Sequence, residues 1–176
     1  GVRELMVMPD RDSKAVRYYA HTLPGRPPEE WQPLVDHLLN VAELASNFAE
    51  QFGEGEWGYL AGLWHDLGKF ADAFQAYLAS HGDYHSEESG VNNSEVATSA
   101  RLDHTSAGAQ HAVSVVPFLG HLLAYPIASH HAGLLDGVSE GPCLDKRLRK
   151  SIEAWKHGVK VLPSLDPPVA FPSSIQ

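Results

Sequence analysis

The sequence predicts an all-α fold of four to seven helices packed around one core. Three observations predict it. Apolar residues recur at steps of three and four through most of the chain. Glycine and proline punctuate the periodic stretches. His37, His65, His104, His130 and His131 each fall inside such a stretch or at its end. A chain of 176 residues is long enough for a single domain with a substantial core, here residues 1–176.

Residues 1–28 read as an extended lead-in, with ELMVM a short strand and TLPGRPP a turn. A long helix is expected from Glu29 to Phe52, because Glu29 and Glu30 suit a helix start. Its core stripe is Leu34, Leu38, Val41, Ala45, Phe48 and Phe52, and Gly53 ends it. Further helices are expected over Glu56–Leu67 and Ala71–Ala79, the latter stopped by Gly82. Residues 80–103 are rich in Ser, Glu, Asn and Gly and read as a mobile loop. Helices resume over Thr105–Val116 and Leu119–His131, with Pro126 a kink in the second. A last helix over Leu144–Val159 carries a basic run of Lys146, Arg147, Arg149, Lys150, Lys156 and Lys160. The Pro- and Ser-rich stretch 163–176 reads as a linker.

Composition narrows the function. Cys143 is the one cysteine, so neither an internal disulfide nor a thiolate zinc cluster can form. The longest apolar run, Val113 to Ala128, is interrupted by Pro117, His121 and Pro126 and is too short to span a bilayer. The first residues lack a basic-then-apolar leader pattern. The expectation is a cytoplasmic protein with no membrane partner. Thirteen basic against 22 acidic residues leave a net charge of -9. Such a chain does not hold nucleic acid by its bulk field.

The chemistry centres on His65-Asp66, in the string LAGLWHDLGKF. One carboxylate and five imidazoles, spread over four segments, are expected to converge on a metal site. Imidazole and carboxylate donors suit Mn, Fe, Co, Ni and Zn better than Ca. Several histidines around a shared Asp suggest two metals, roughly 3.5–4 Å apart, as in phosphoester hydrolysis. Adjacent helical residues point about 100° apart, so His65 and Asp66 serve one centre only at a helix end or with Asp66 between metals. Gly68 makes a helix end there reasonable, and Gly133 does the same for His130-His131. Lys69, one turn beyond His65, is placed to hold a scissile phosphate or assist a leaving oxygen. The run Thr105-Ser106-Ala107-Gly108-Ala109 permits close approach of a helix or a substrate backbone.

Plainer readings stand beside these. An isolated His-Asp pair is more often a surface pair than a metal centre. His37 alone reads as a core or surface histidine, and His104 as a helix cap, a role Asp103 or Thr105 could also fill. Two adjacent imidazoles entering an apolar region, His130 and His131, need polar partners. His21, His81, His85, His111, His121 and His157 are expected to be exposed or singly hydrogen-bonded, with His21 in YYAHT the one of interest. The basic run of the last helix reads as a solvated face, and Lys69 by default as a surface lysine.

These residues also resemble a known family. The order His37, then His65-Asp66 with Gly68-Lys69, then His104 before small residues, then His130-His131-Ala-Gly-Leu is similar to the HD nuclease domain of the CRISPR type I effector helicase-nuclease. The lead-in YYAHTLPGRPPEEWQPLVDHLLNVAELASNFA is similar too, and the resemblance runs from Tyr18 to Leu135. It implies an HD-domain helical bundle with a central metal site that cuts single-stranded DNA. The cofactors it implies are two divalent transition metals, Mn, Co, Ni or Fe ahead of Mg or Zn. His37, His65 and Asp66 would bind one, and Asp66 would bridge to a second held by His104, His130 and His131. Asp66 and Lys69 would be the catalytic pair. The partners it implies are a helicase domain, fused or separate, and the RNA-guided Cascade complex. The family's further metal-binding Asp has no confident match here, since only Asp136, Asp145 and Asp166 follow the His-His pair. The stretch 163–176 would then lead towards a helicase part. Two other readings compete: an HD phosphohydrolase acting on nucleotides or cyclic dinucleotides, and a non-catalytic interaction domain.

Overall fold

Pro33 decides where the first long helix begins. A residue before proline is pushed out of the α region, and Pro33 itself is extended at φ -61, ψ 138 as the N-cap. In the computed structural model, which describes residues 17–81, 103–116, 118–152 and 154–164, α1 therefore spans Leu34–Glu50 and not Glu29–Phe52. Glu29 and Glu30 belong to a separate 3-10 turn, Pro28–Glu30. Before it lies a short strand, β1 (Tyr19–His21), paired antiparallel with β2 (Gln32–Pro33). The expected strand over 4–8, the loop 82–102, the Gly82 stop and residues 165–176 of the linker lie outside the described residues.

The rest is helical: α2 (Gly55–Trp64), a 3-10 turn (Leu67–Phe70), α3 (Asp72–His81), α4 (Thr105–Val115), α5 (Gly120–Ser129), α6 (Leu144–Arg149) and α7 (Lys156–Val159). α1 packs on α2, α4 packs on α5, and the two pairs close over one core that includes Leu38, Leu63, Leu67, Phe70, Ala107 and Ile127. Among the described residues, no helix is long and apolar enough to cross a membrane.

Two expectations fail for packing reasons. The α1 stripe was expected to bury Phe48 and Phe52, yet these are 62% and 73% exposed. The α1–α2 crossing is made by small residues. At Gly58 and Gly62 an added Cβ would lie 2.5 and 2.6 Å from the carbonyl oxygens of Ala45 and Val41. Backbones that close leave no room for a phenyl ring, so the buried face is Leu34, Leu38 and Ala42. The expected helix 144–159 is two short helices. The Gln110 amide donates to the carbonyl oxygens of Arg147 (2.9 Å) and Lys150 (2.8 Å), which satisfies the end of α6. Lys150 is then extended at φ -65, ψ 133.

The small run at the start of α4 serves helix approach. Gly108 lies against Trp64 and Ile127, and a Cβ there would fall on the Trp64 carbonyl oxygen. Trp64 directly precedes His65, so this contact sets the distance between the two histidine-bearing segments. Gly108→Ala is expected to destabilise the fold by about 2 kcal/mol or more through overpacking against rigid backbone. A urea unfolding curve matching that of wild type would refute the close-approach argument.

Candidate metal centre

α2 ends at Trp64 because the chain leaves helical geometry at Asp66 (φ -114, ψ 24) and re-enters as a 3-10 turn. The break turns the Asp66 carboxylate inward, where only 2% of the residue is exposed. Gly68 makes the break compatible with α4. Its amide donates to the His104 carbonyl (3.1 Å), and a Cβ at Gly68 would collide with the His104 backbone.

Around the carboxylate the six expected residues converge. Asp66 Oδ2 lies 3.2 Å from His37 Nε2, 3.1 Å from His65 Nε2 and 3.0 Å from Lys69 Nζ. Asp66 Oδ1 lies 3.4 Å from His130 Nε2 and 3.6 Å from His104 Nε2. His131 packs against both His130 and His104, at ring separations of 4.0 and 5.0 Å. The donors fall into two groups that share Asp66: His37, His65 and Asp66, and Asp66, His104, His130 and His131. Within each group the donor atoms lie within 4.8 Å of one another.

Two of the imidazoles are oriented by the same local device. His65 Nδ1–H donates to Gly62 O and His130 Nδ1–H donates to Ile127 O, each at 2.7 Å and each three residues back. A carbonyl can only accept, so Nδ1 carries a proton and Nε2 is the nitrogen left to offer a cation its lone pair. Among the described residues, none donates a hydrogen bond to the buried Asp66 Oδ1. A buried carboxylate oxygen in that state, with imidazole nitrogens around it, fits a bound cation. The donor set of nitrogen and oxygen atoms suits divalent transition metals.

Burial alone would raise the Asp66 pKa, but His65, His130 and His37 hold it well below the usual carboxylate range. Burial disfavours charge on His65 too, yet the Asp66 carboxylate outweighs it and raises the His65 pKa.

Lys69 departs from both of its expected places. It is neither a surface lysine nor open to a substrate, being 0% exposed. Its ammonium is shared between Asp66 Oδ2 and the Ala20 carbonyl oxygen at 3.2 Å. Its charge therefore acts on Asp66. The partner that holds this arrangement, Gln75, gave no sequence signal. Gln75 Nε2 donates to Lys69 O (2.7 Å) and Tyr19 O (2.9 Å), while Gln75 Oε1 accepts from Tyr19 N at 2.9 Å.

Asp103 is the second support. His104 occupies the N-cap position of α4 without a side-chain cap bond. Asp103 does the capping, accepting from Ser106 N (2.9 Å) and the Ser106 hydroxyl (2.6 Å). Lys150 and Arg147 reach it from α6 at 2.9 and 3.5 Å, so Arg147 of the expected basic face is turned inward, while Lys150 reaches Asp103 from the surface. Sequence inspection raised Asp103 only as a cap. His111, expected to be exposed or singly hydrogen-bonded, stands between Trp64 and Trp155 at ring separations of 4.8 and 5.8 Å, and burial lowers its pKa. His157 lies against Tyr18 and His121 is exposed. The side chains of His81 and His85 lie outside the described residues. Asp136 and Asp145 join neither donor group. The Asp136 carbonyl accepts from Leu144 N, and Asp145 pairs with Arg149. Asp166 is outside the described residues.

Breaking the buried pair by Lys69→Met, which keeps the volume, is expected to cost the metal-stripped protein about 3 kcal/mol. An unchanged urea midpoint would mean that the imidazoles alone balance Asp66. At Asp103, burial would raise the pKa, but the Ser106 hydroxyl, Lys150 and the Ser106 amide more than offset it and bring it below the ordinary 3.8. A depressed carboxylate contributes stability that is present above its unfolded pKa and lost as pH falls. Asp103→Asn is thus expected to be less stable than wild type at pH 7, with the gap shrinking below pH 3.8. Thermal unfolding of both proteins across pH 2–7 measures this, and a gap independent of pH would refute it.

A family model described as HD domain matches residues 34–137, which includes every donor named above. No curated protein matches the chain.

Proposed function

The chain belongs to the HD domain family, of the HD phosphohydrolase superfamily of metal-dependent hydrolases, and from that premise we propose that it is a nuclease cutting single-stranded DNA in CRISPR type I interference. The observation that carries the reading is the single buried carboxylate shared by two sets of imidazoles. That arrangement suits two divalent ions, Mn, Co, Ni or Fe ahead of Mg or Zn. His37, His65 and Asp66 would hold one, and Asp66, His104, His130 and His131 the other. When bound, such ions acidify water towards neutral pH and offset negative charge on a phosphodiester.

The chain's own residues set the polarity of the site. The imidazoles are neutral donors, and the Asp66 charge is already balanced by Lys69 at 3.0 Å. A site loaded with divalent ions is therefore strongly positive and favours a polyanion. The phosphodiester is that substrate in this reading. Lys69 serves as a positioning residue, holding the shared carboxylate from behind with no path to substrate. The motif order and the similarity from Tyr18 to Leu135 support single-stranded DNA over a nucleotide. The net charge of -9 fits strand delivery by a partner, a helicase working with the RNA-guided Cascade complex in the cytoplasm.

The test is cleavage of a labelled circular single-stranded DNA by metal-stripped protein with Mn, Co, Ni, Fe, Mg or Zn returned singly. Cutting is expected with Mn, Co, Ni or Fe, and Asp66→Ala is expected to reduce it to background. Hydrolysis of mononucleotides or cyclic dinucleotides with the DNA left intact would replace this reading by a nucleotide phosphohydrolase. Equal turnover by Asp66→Ala and wild type would remove the assignment of the site itself.

A further inference from the structure

The cations of this acidic chain are gathered in one place. α1 to α5 carry no lysine or arginine. Lys146, Arg147 and Arg149 lie on α6, Lys156 lies on α7, and Lys150 and Lys160 are the C-caps of these two helices. The other described lysines and arginines are Arg17, Arg26 and the buried Lys69. Acidic side chains are placed the other way round, with Asp36, Glu43, Glu50 and Glu56 exposed on α1 and α2. The net charge of -9 therefore conceals a local field of opposite sign.

That field borders the metal centre. α6 starts against the loop that follows His130-His131, where Leu144 N donates to Asp136 O (2.8 Å) and Asp145 N donates to Gly137 O (3.1 Å). It ends against the residue before His104, where Lys150 and Arg147 meet Asp103. α6 thus connects the surroundings of both histidine segments of the four-donor group. α7 backs onto the turn that follows Asp66: Gly158 leaves no room for a Cβ against the Phe70 ring, and His157 lies against Tyr18. Buried Trp155 anchors the chain just before α7. On this frame Lys146, Arg149, Lys150, Lys156 and Lys160 remain exposed. Asp145 takes Arg149 at 2.9 Å, but an exposed pair of this kind holds its charges only weakly.

We propose that α6, α7 and their C-cap lysines form a track for the phosphate backbone of a single-stranded polynucleotide, leading it past the His104–His130–His131 side of the centre. This rests on the reading of the site as a phosphodiester hydrolase. Cations spread over two helices exceed what one phosphate can use, and a mononucleotide seated at the metals would leave most of them idle. A chain of phosphates meets them in turn. Phosphate contacts fix register and orientation and carry no base information, so the track takes any sequence.

The test is fluorescence anisotropy of a labelled oligothymidylate with the metal-stripped full chain, titrated at several salt concentrations. Arg149→Gln, Lys156→Gln and Lys160→Gln are combined, all at exposed positions. Lys146 and Lys150, which bond to Gly141 O and Asp103, are left in place. Each single-strand phosphate contact steepens the salt dependence of log Kd by roughly 0.7, so the triple variant is expected to flatten it by about 2 and to weaken binding at low salt by at least about tenfold. Adding Glu43→Gln, Glu50→Gln and Glu56→Gln restores the net charge and is expected to leave binding weak. Wild-type affinity and slope in the triple variant overturn the proposal. So does recovery of binding in the charge-restored variant, which would make net charge the cause. No binding by wild type at low salt overturns it too. Binding of poly-glutamate in preference to oligothymidylate replaces it with an acidic protein partner. Strand binding that depends on these cations, without cleavage under any metal, would count against the nuclease reading and leave the track standing.

Discussion

A charged carboxylate at the centre of a small helical domain constrains everything around it. Asp66 is almost fully buried, and an unpaired ion there would cost several kcal/mol. The chain answers by surrounding it. Lys69 balances the charge at 3.0 Å, and four imidazole nitrogens stand within 3.6 Å of its two oxygens. The four imidazoles come from four different parts of the sequence, so α1, the α2 end, the α4 start and the α5 end must meet at one point. The small residues make the meeting possible. Gly58 and Gly62 let α2 approach α1, Gly108 lets α4 approach Trp64, and Gly68 lets the Asp66 turn abut His104.

The supports lie one layer out and are made of ordinary polar chemistry. Gln75 ties β1 to the Lys69 backbone, and Lys69 in turn ties β1 to Asp66. On the opposite side Asp103 ties the start of α4 to α6 through Arg147 and Lys150, and Arg147 adds a bond to Thr105 at 2.8 Å. These two clamps approach the donors from opposite ends of the chain. They show how a domain with one cysteine and no disulfide holds six side chains in register.

Much of the donor set was legible in the sequence, for a physical reason. Histidine and aspartate inside apolar helical stretches have no cheap solution except one another or a metal, so their positions carry information. His37, His65, Asp66, His104, His130 and His131 were therefore readable from local context. Gly68 and Gly133 marked where a helix end would turn two neighbours inward. The supports were not readable. Gln75 sits in an unremarkable helical string, and two of its three bonds depend on a strand 56 residues away in sequence. Lys69 was read as a catalytic group beside His65-Asp66, with a surface lysine as the default, because nothing local says that a lysine will be buried on a carboxylate. Helix boundaries failed where tertiary contacts decide them, at the α6 end satisfied by Gln110. Phe48 and Phe52 were misplaced because spacing at steps of three and four extends the buried stripe to them, when a close glycine crossing excludes them.

The positions of His65 and His130 have one more consequence. Each is the C-cap residue of its helix, α2 and α5. Aligned peptide dipoles leave roughly half a negative charge at each helix C-terminus. Two helices thus end beside a site that has a single carboxylate, and together they add about one unit of negative potential without any further acidic side chain. α4 starts at the same place and brings the opposite, positive end. The Asp103 carboxylate sits on that end and cancels it. The backbone itself is thereby arranged as part of the cation's counter-charge, and the domain can hold multivalent positive charge with a donor set composed mostly of neutral rings.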